Sequence, residues 1–313
     1  MASALSKRYK EVLAVDGVDI DLPAGVVGGF VGPNGAGKTT TIQLLLGLVR
    51  PTSGVAKVLG ESIAHPERYL RRVGALIESP SFYPALSGRR NLEVLTRLGR
   101  LDKSRIDTVL AQVELSARAN DRVKTYSLGM KQRLGVAAAL LPDPELVILD
   151  EPTNGLDPGG IQEFRLMIRE LVEQEGRTVF LSSHLLDEVE KTCDSAAIID
   201  RGKVVMQGPI AELAGGGKGA AHELEIGVDD PELALSTLTQ LDLVRDAHRS
   251  EEGLRVLLTG GVETAAQINA ALVHAGVGVL RLEPVRHTLE QRFLEVTARL
   301  DAPTPSEQQE VPA

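Results

Sequence analysis

Short apolar runs recur along the first two thirds of the chain, each broken off by glycine, proline or charged residues. Residues 26–31 (VVGGFV), 73–77 (VGALI), 146–149 (LVIL) and 178–182 (TVFLS) are apolar or β-branched almost throughout, which predicts strands largely covered by neighbouring elements. Residues 54–60 predict a further short strand. Residues 3–22 alternate instead, and predict two antiparallel strands. Helical spacing follows the first buried run at residues 40–49. From residue 91 to 141 apolar side chains recur at three- and four-residue intervals. That stretch is entered through the turn-rich residues 77–92, with Pro80 and Pro84. It predicts a helical subdomain inserted into a sheet domain at about residues 79–141. Residues 195–200 and 203–207 predict a hairpin turned by Arg201 and Gly202.

The pattern breaks at AGGGKGA, residues 214–220, which predicts a flexible linker. Beyond it come a strand (223–228), a helix (232–241) and two strands (243–248 and 254–258). A helix (263–275) and a strand (277–284) complete a β-α-β-β-α-β order, the ferredoxin-like arrangement. A last helix is expected over about 288–300, and the polar tail 301–313 should be disordered. The domains so predicted are residues 1–213 and an α+β accessory domain at 221–300.

Composition narrows the picture. With 313 residues the chain has room for one large domain and a small one, and 43% hydrophobic with 25% charged residues is ordinary for a globular protein. A net charge of −9 weighs against a nucleic-acid partner. The single cysteine, Cys193, excludes an internal disulfide framework and suits a reducing compartment. Lys7, Arg8, Lys10 and Glu11 interrupt the start before a signal-peptide core could form. No apolar run reaches the roughly 18 residues that a membrane span needs, so any membrane role comes through a partner.

The candidate chemistry centres on GPNGAGKTT, which follows the first buried strand and opens a helix. Gly32, Gly37, Lys38 and Thr39 occupy the defining positions of G-x-x-x-x-G-K-[ST], with Pro33, Asn34, Gly35 and Ala36 between them and Thr40 after. Glycines allow the backbone to curl so that N–H groups point at phosphates. Lys38 supplies charge to the β- and γ-phosphates, and Thr39 offers a hydroxyl to Mg²⁺. The run at 146–149 ends in Asp150 and Glu151, at the strand end where open α/β sheets place their ligands. Two such carboxylates are costly to bury without a cation or substrate. Asp150 fits service to Mg²⁺ through coordinated water, and Glu151 a base that polarises an attacking water. His184 follows another strand to the same edge, where a γ-phosphate contact suits it. Ser127 caps the helix over residues 128–141, and with Gly129 makes a second anion-receptive helix end. One ligand rarely needs two such ends, which hints at a nucleotide held by another subunit. Tyr9 reads equally as an edge-strand tyrosine or as a face for stacking on adenine.

Together these motifs resemble the ATP-binding subunit of an ABC transporter, over roughly residues 3–213. Walker A is residues 32–39, Walker B residues 146–150, and YSLGM at 126–130 corresponds to the signature LSGGQ. The resemblance implies an α/β P-loop NTPase fold of the ABC-ATPase type, with antiparallel N-terminal strands and the helical insertion. It also implies Glu151 as catalytic carboxylate, His184 as switch histidine, Asp157 as the D-loop aspartate, Tyr9 as the adenine-stacking aromatic, and Ser127 and Gly129 as signature contacts to ATP. Two departures stand out: Glu78 replaces the expected glutamine, as a candidate Mg²⁺ ligand beside Thr39 and Asp150, and Leu128 and Met130 replace a glycine and a glutamine. The implied partners are ATP, a second copy of the chain in an ATP-dependent dimer, and a separate permease that holds the protein at the cytoplasmic face of the membrane. Residues 77–92 and the C-terminal module resemble the exporter branch linked to drug, bacitracin and lantibiotic resistance. Relatives that act on DNA or ribosomes carry tandem cassettes or long coiled coils, and this chain has neither. Retention of Glu151 and His184 weighs against a non-hydrolysing sensor, and the lack of an N-K-x-D motif against a GTPase.

Overall fold

In the computed structural model, which describes residues 1–78, 81–216, 223–250, 253–259, 264–285 and 288–301, the alternating N-terminal segment forms β1 (Ala2–Tyr9) and β2 (Val12–Ile20), paired antiparallel. With β4 (Ser53–Val58) and β5 (Glu61–Ser62) they make a four-stranded sheet in the order β2-β1-β4-β5. The buried runs form β3 (Val27–Val31), β6 (Val73–Leu76), β7 (Leu146–Leu149) and β8 (Thr178–Ser183), and the hairpin forms β9 (Ser195–Asp200) and β10 (Lys203–Pro209). Their sheet runs β10-β9-β3-β8-β7-β6 and is parallel except for β10. Chain order reverses direction around β3, so the loop after β3 sits at a switch point, where such sheets bind ligands.

One core joins the facing surfaces of the two sheets. Leu5, Val15 and Val18 meet Phe30, Ile148, Phe180 and Ile199, with Ile42 and Leu44 of α1 (Lys38–Leu45) in the same cluster. The Phe30 and Phe180 rings lie 5.7 Å apart. Each such side chain contributes roughly 1.5–3 kcal/mol on burial, which keeps α1 seated with its N-terminus at the carboxyl edge of the parallel strands. The helix starts at Lys38, two positions before the expected residue 40, and stops at Leu45 rather than 49. Gly47, with φ of 67°, ends it in the left-handed conformation that favours glycine.

The opposite face of the parallel sheet is covered by α4 (Leu128–Leu140), α5 (Pro158–Glu173) and α6 (Leu186–Thr192). The inserted helical stretch holds α2 (Gly88–Gly99), α3 (Arg105–Gln112) and α4. No element was expected for α5 or α6. The Pro-Gly-Gly opening of α5 disguises a helix whose Phe164, Met167, Ile168 and Leu171 form a buried stripe.

The chain divides into two units, Met1–Pro209 and Ile210–Ala313. The second holds β11 (Glu223–Val228), α7 (Pro231–Leu238), β12 (Val244–Arg249), β13 (Leu254–Leu258), α8 (Ala265–His274), β14 (Val279–Pro284) and α9 (Leu289–Asp301). Its sheet is antiparallel, in the order β12-β13-β11-β14. Leu224, Ile226, Leu254 and Val256 pack with Ala234 and Leu238 of α7 and Ile268 and Leu272 of α8 in a core of its own. Within the expected linker, residues 214–216 belong to a short helical turn, Glu212–Gly216, and residues 217–220 lie outside the described residues. Asp301 ends α9, and the rest of the expected disordered tail also lies outside them.

Candidate active site

Two glycines of the loop after β3 are demanded by their neighbours. A Cβ on Gly32 would lie 2.1 Å from the Ile199 carbonyl oxygen of β9. One on Gly37 would lie 2.4 Å from the Ala14 carbonyl oxygen of β2, and Gly37 also has φ of 105°. The loop is pinned at both ends: Gly32 N–H donates to Ser183 O at 3.2 Å, and Ala36 O accepts from Gly202 N–H at 3.0 Å. Pro33, Asn34 and Gly35 form the turn between, closed by Ala36 N–H donating to Pro33 O at 3.2 Å. Gly37 then caps α1 without a side-chain acceptor, and the first turn, Lys38 to Thr40, holds no acidic residue. Its N–H groups point from a helix end, an arrangement suited to an anion.

The candidate side chains converge on this loop. Lys38 is 6% exposed, donates to Gly32 O at 2.7 Å and Pro33 O at 3.2 Å, and pairs with Glu151 Oε1 at 3.1 Å. Thr39 Oγ1 donates to Asp150 Oδ2 at 2.7 Å, and His184 Nδ1 stands 2.8 Å from Glu151 Oε2. Asp150 is buried and Glu151 only partly so. Strand alternation explains their separate surroundings: Asp150 continues the face of Ile148 toward α1, whereas Glu151 has left the strand with φ of 49°. A left-handed non-glycine residue stores roughly 1–3 kcal/mol of strain, and such residues cluster at working sites.

Ser127, Gly129 and Asp157 form a second group. Ser127 Oγ caps α4 by accepting from Met130 N–H at 3.2 Å, which leaves its own proton free to donate. Asp157 precedes α5 and makes no side-chain cap. All three line a cleft of about 440 Å³, walled also by Leu128, Gly155 and Arg133 and by no residue of the loop at 32–40. Leu128 fills the space beside Gly155, where a Cβ would come within 2.9 Å of it. Arg133, deeply buried, ties α4 to Val113 O, Glu114 and Glu163.

Two expected residues share no hydrogen bond or ion pair with these groups among the described residues. Tyr9 ends β1, is 42% exposed, and has the Lys7 ammonium 4.9 Å from its ring centre, a cation–π contact that occupies one face. Glu78 follows β6, with an exposed side chain and φ of 58°. Among the described residues no group of three His, Cys, Asp or Glu side chains is gathered to hold a metal ion. The oxygen pair of Thr39 and Asp150 is the arrangement that would suit one.

A family model described as ABC transporter matches residues 15–154. The bacitracin transport ATP-binding protein BcrA of Bacillus licheniformis is 39% identical over 294 residues, which cover 93% of this chain and 95% of that protein. The chain belongs to the ABC transporter ATP-binding family. This ABC ATPase subunit is also similar to the lantibiotic transport ATP-binding protein SrtF of Streptococcus pyogenes, 43% identical over 203 residues, 65% of this chain and 87% of that one. Among solved structures, cbiO1 of Clostridium perfringens, part of the ABC transporter complex cbiONQ, matches with a TM-score of 0.62 at 26% identity. That match covers 68% of this chain and 88% of cbiO1. The subunit binds and hydrolyses ATP for transport. No helix among the described residues is long and apolar enough to cross a membrane.

Sequence reasoning passed over one residue of the ABC site. Ser182 is fully buried in β8, donates to Asp150 Oδ1, and accepts from Glu151 N–H at 2.9 Å. The signal available was a pair of serines, Ser182 and Ser183, closing the apolar run at 179–181 directly before His184.

Proposed function

We propose that this ATPase subunit works as an ATP-dependent pair with a second copy of itself, at the cytoplasmic side of the membrane through a separate permease, and powers export of a drug, antibiotic or peptide-like compound. The observation that carries the paired reading is the separation of two anion-receptive helix ends in one chain. The cleft at Ser127 and Gly129 takes no wall from the loop at 32–40, and neither end alone supplies enough donors for a transferring γ-phosphate. In the pair, Ser127 and Gly129 of one copy close over phosphates held by the other, and Asp157 lines the same seam. The bacitracin and lantibiotic transport names of its relatives support the exporter assignment.

Within each site the loop from Gly32 to Thr40 wraps the phosphates. Lys38 leaves Glu151 for the phosphate oxygens. Thr39 and Asp150 offer hard oxygen donors 2.7 Å apart, the kind Mg²⁺ takes, and Glu78 is a third candidate from the neighbouring strand end. A bound Mg²⁺ would neutralise charge on the transferring phosphoryl group. Glu151, freed from Lys38, accepts the proton of the attacking water, while His184 holds its other oxygen from Nδ1 and reaches the γ-phosphate. Tyr9 offers its open ring face to adenine. Residues 1–213 carry this chemistry, and 221–300 form an accessory domain.

The test is co-expression with the cognate permease in a host sensitive to bacitracin-type peptides. The wild-type pair should raise tolerance. Lys38→Ala should abolish ATP binding and turnover and return tolerance to baseline. Unchanged nucleotide affinity in Lys38→Ala would overturn the loop assignment, and tolerance indifferent to Lys38 would overturn the transport assignment.

A further inference from the structure

We infer that Ser182 is a positioning residue that sets Asp150 and Glu151 for hydrolysis, an inference that rests on the ATPase reading of this sheet edge. The parallel register pairs Leu149 with Leu181, so the next residues, Asp150 just past the end of β7 and Ser182 still within β8, stand level with each other. Alternation puts both on the face of Ile148 and Phe180. Ser182 is 0% exposed, so its hydroxyl has no water to turn to. Its single proton goes to Asp150 Oδ1 and one lone pair receives Glu151 N–H at 2.9 Å, which fixes the hydroxyl's orientation.

This hydroxyl completes a chain of hydrogen bonds across the site. Thr39 Oγ1 holds Asp150 Oδ2 at 2.7 Å, Ser182 Oγ holds Asp150 Oδ1, and the same Oγ holds the peptide of Glu151. Both oxygens of the buried Asp150 are therefore aimed before any nucleotide arrives. Glu151 is the residue that most needs such support. Its φ of 49° is unfavourable for a side chain with a Cβ, and the hydrogen bond that its N–H donates to Ser182 Oγ anchors that turn to β8. Ser182 thus acts through its neighbours: by Asp150 it supports the metal, and by Glu151 the water.

The experiment compares Ser182→Ala with Ser182→Thr, which keeps the hydroxyl and suits a strand. Removing a group that orients metal-site ligands lowers affinity or activity by about 10–100-fold. Ser182→Ala should lose that much of kcat and should weaken binding of ADP in the presence of Mg²⁺, measured calorimetrically, without changing ADP binding in EDTA. Ser182→Thr should recover most of both. In a Glu151→Gln background, Ser182→Ala should cost less turnover than it does in the wild type, because only the route through Asp150 remains, and should still weaken Mg²⁺-dependent ADP binding. A merely structural serine would lower Tm and leave kcat and the Mg²⁺ dependence of the folded protein unchanged, and that result would overturn the inference. So would equal impairment of the Ala and Thr variants. A wild-type chain without Lys38-dependent turnover would overturn the ATPase reading and this inference with it, whereas wild-type turnover shared by Ser182→Ala would overturn the inference alone.

Discussion

Glu151→Gln should uncouple binding from chemistry, and the free chain indicates by how much. Glu151 is tied to Lys38 at 3.1 Å and to His184 at 2.8 Å, so the carboxylate occupies the ammonium that the proposed phosphate contact requires. At that separation and an effective dielectric of about 20, the gross attraction is about 5 kcal/mol, with desolvation offsetting most of it. A net competition of roughly 1–2 kcal/mol corresponds to ATP binding about 5–30-fold tighter once glutamine replaces the carboxylate. Glutamine keeps the shape and a hydrogen bond to His184 but cannot take a proton, so turnover should fall ~10²–10⁴-fold. ATP held without hydrolysis should also convert the variant from monomer to dimer. The assays are titration with a fluorescent ATP analogue, phosphate release, and light scattering with and without Mg-ATP. Wild-type turnover would refute the role of Glu151 as base. Affinity equal to or weaker than wild type would refute the competition for Lys38. A monomer with ATP firmly bound would refute the shared site.

Two further outcomes follow from the same structure. A chain ending at Pro209 should remain folded and bind ATP, because the core of the first unit draws on its own residues between Ala2 and Val204. Circular dichroism and nucleotide titration check this, and insoluble or nucleotide-blind material would refute it. Cys193 should resist maleimide at pH 8 until the chain is unfolded. Burial raises its thiol pKa, with Asp194 adding to the shift, so the unreactive protonated form persists where an exposed thiol begins to ionise. Native labelling at the rate of the denatured chain would show the thiol to be accessible.

The loop at 32–40 was legible as a candidate phosphate site because its pattern is local: Gly32, Gly37, Lys38 and Thr39 lie within a few residues, between a buried strand and a helix. The strands were legible for a similar reason, since a run such as LVIL that is covered on both faces leaves no room for polar positions. Asp150 and Glu151 stood out because two carboxylates ending such a run need a reason to be there. The rest depended on residues far apart in the chain. Helices α5 and α6 were hidden, α5 because its opening Pro-Gly-Gly has poor helical propensity, which the packing of Phe164 and Ile168 overrides. The need for glycine at 32 and 37 comes in part from the carbonyls of Ile199 and Ala14, which no local pattern reveals. The bond of Ser182 to Asp150 depends on strand register, and the ion pair of Lys38 with Glu151 on the left-handed turn at the end of β7. Sequence by itself determined which residue types were available and which strands were buried. Tertiary structure alone decided which of them meet, because contact across a sheet is set by the pairing of strands and not by distance along the chain.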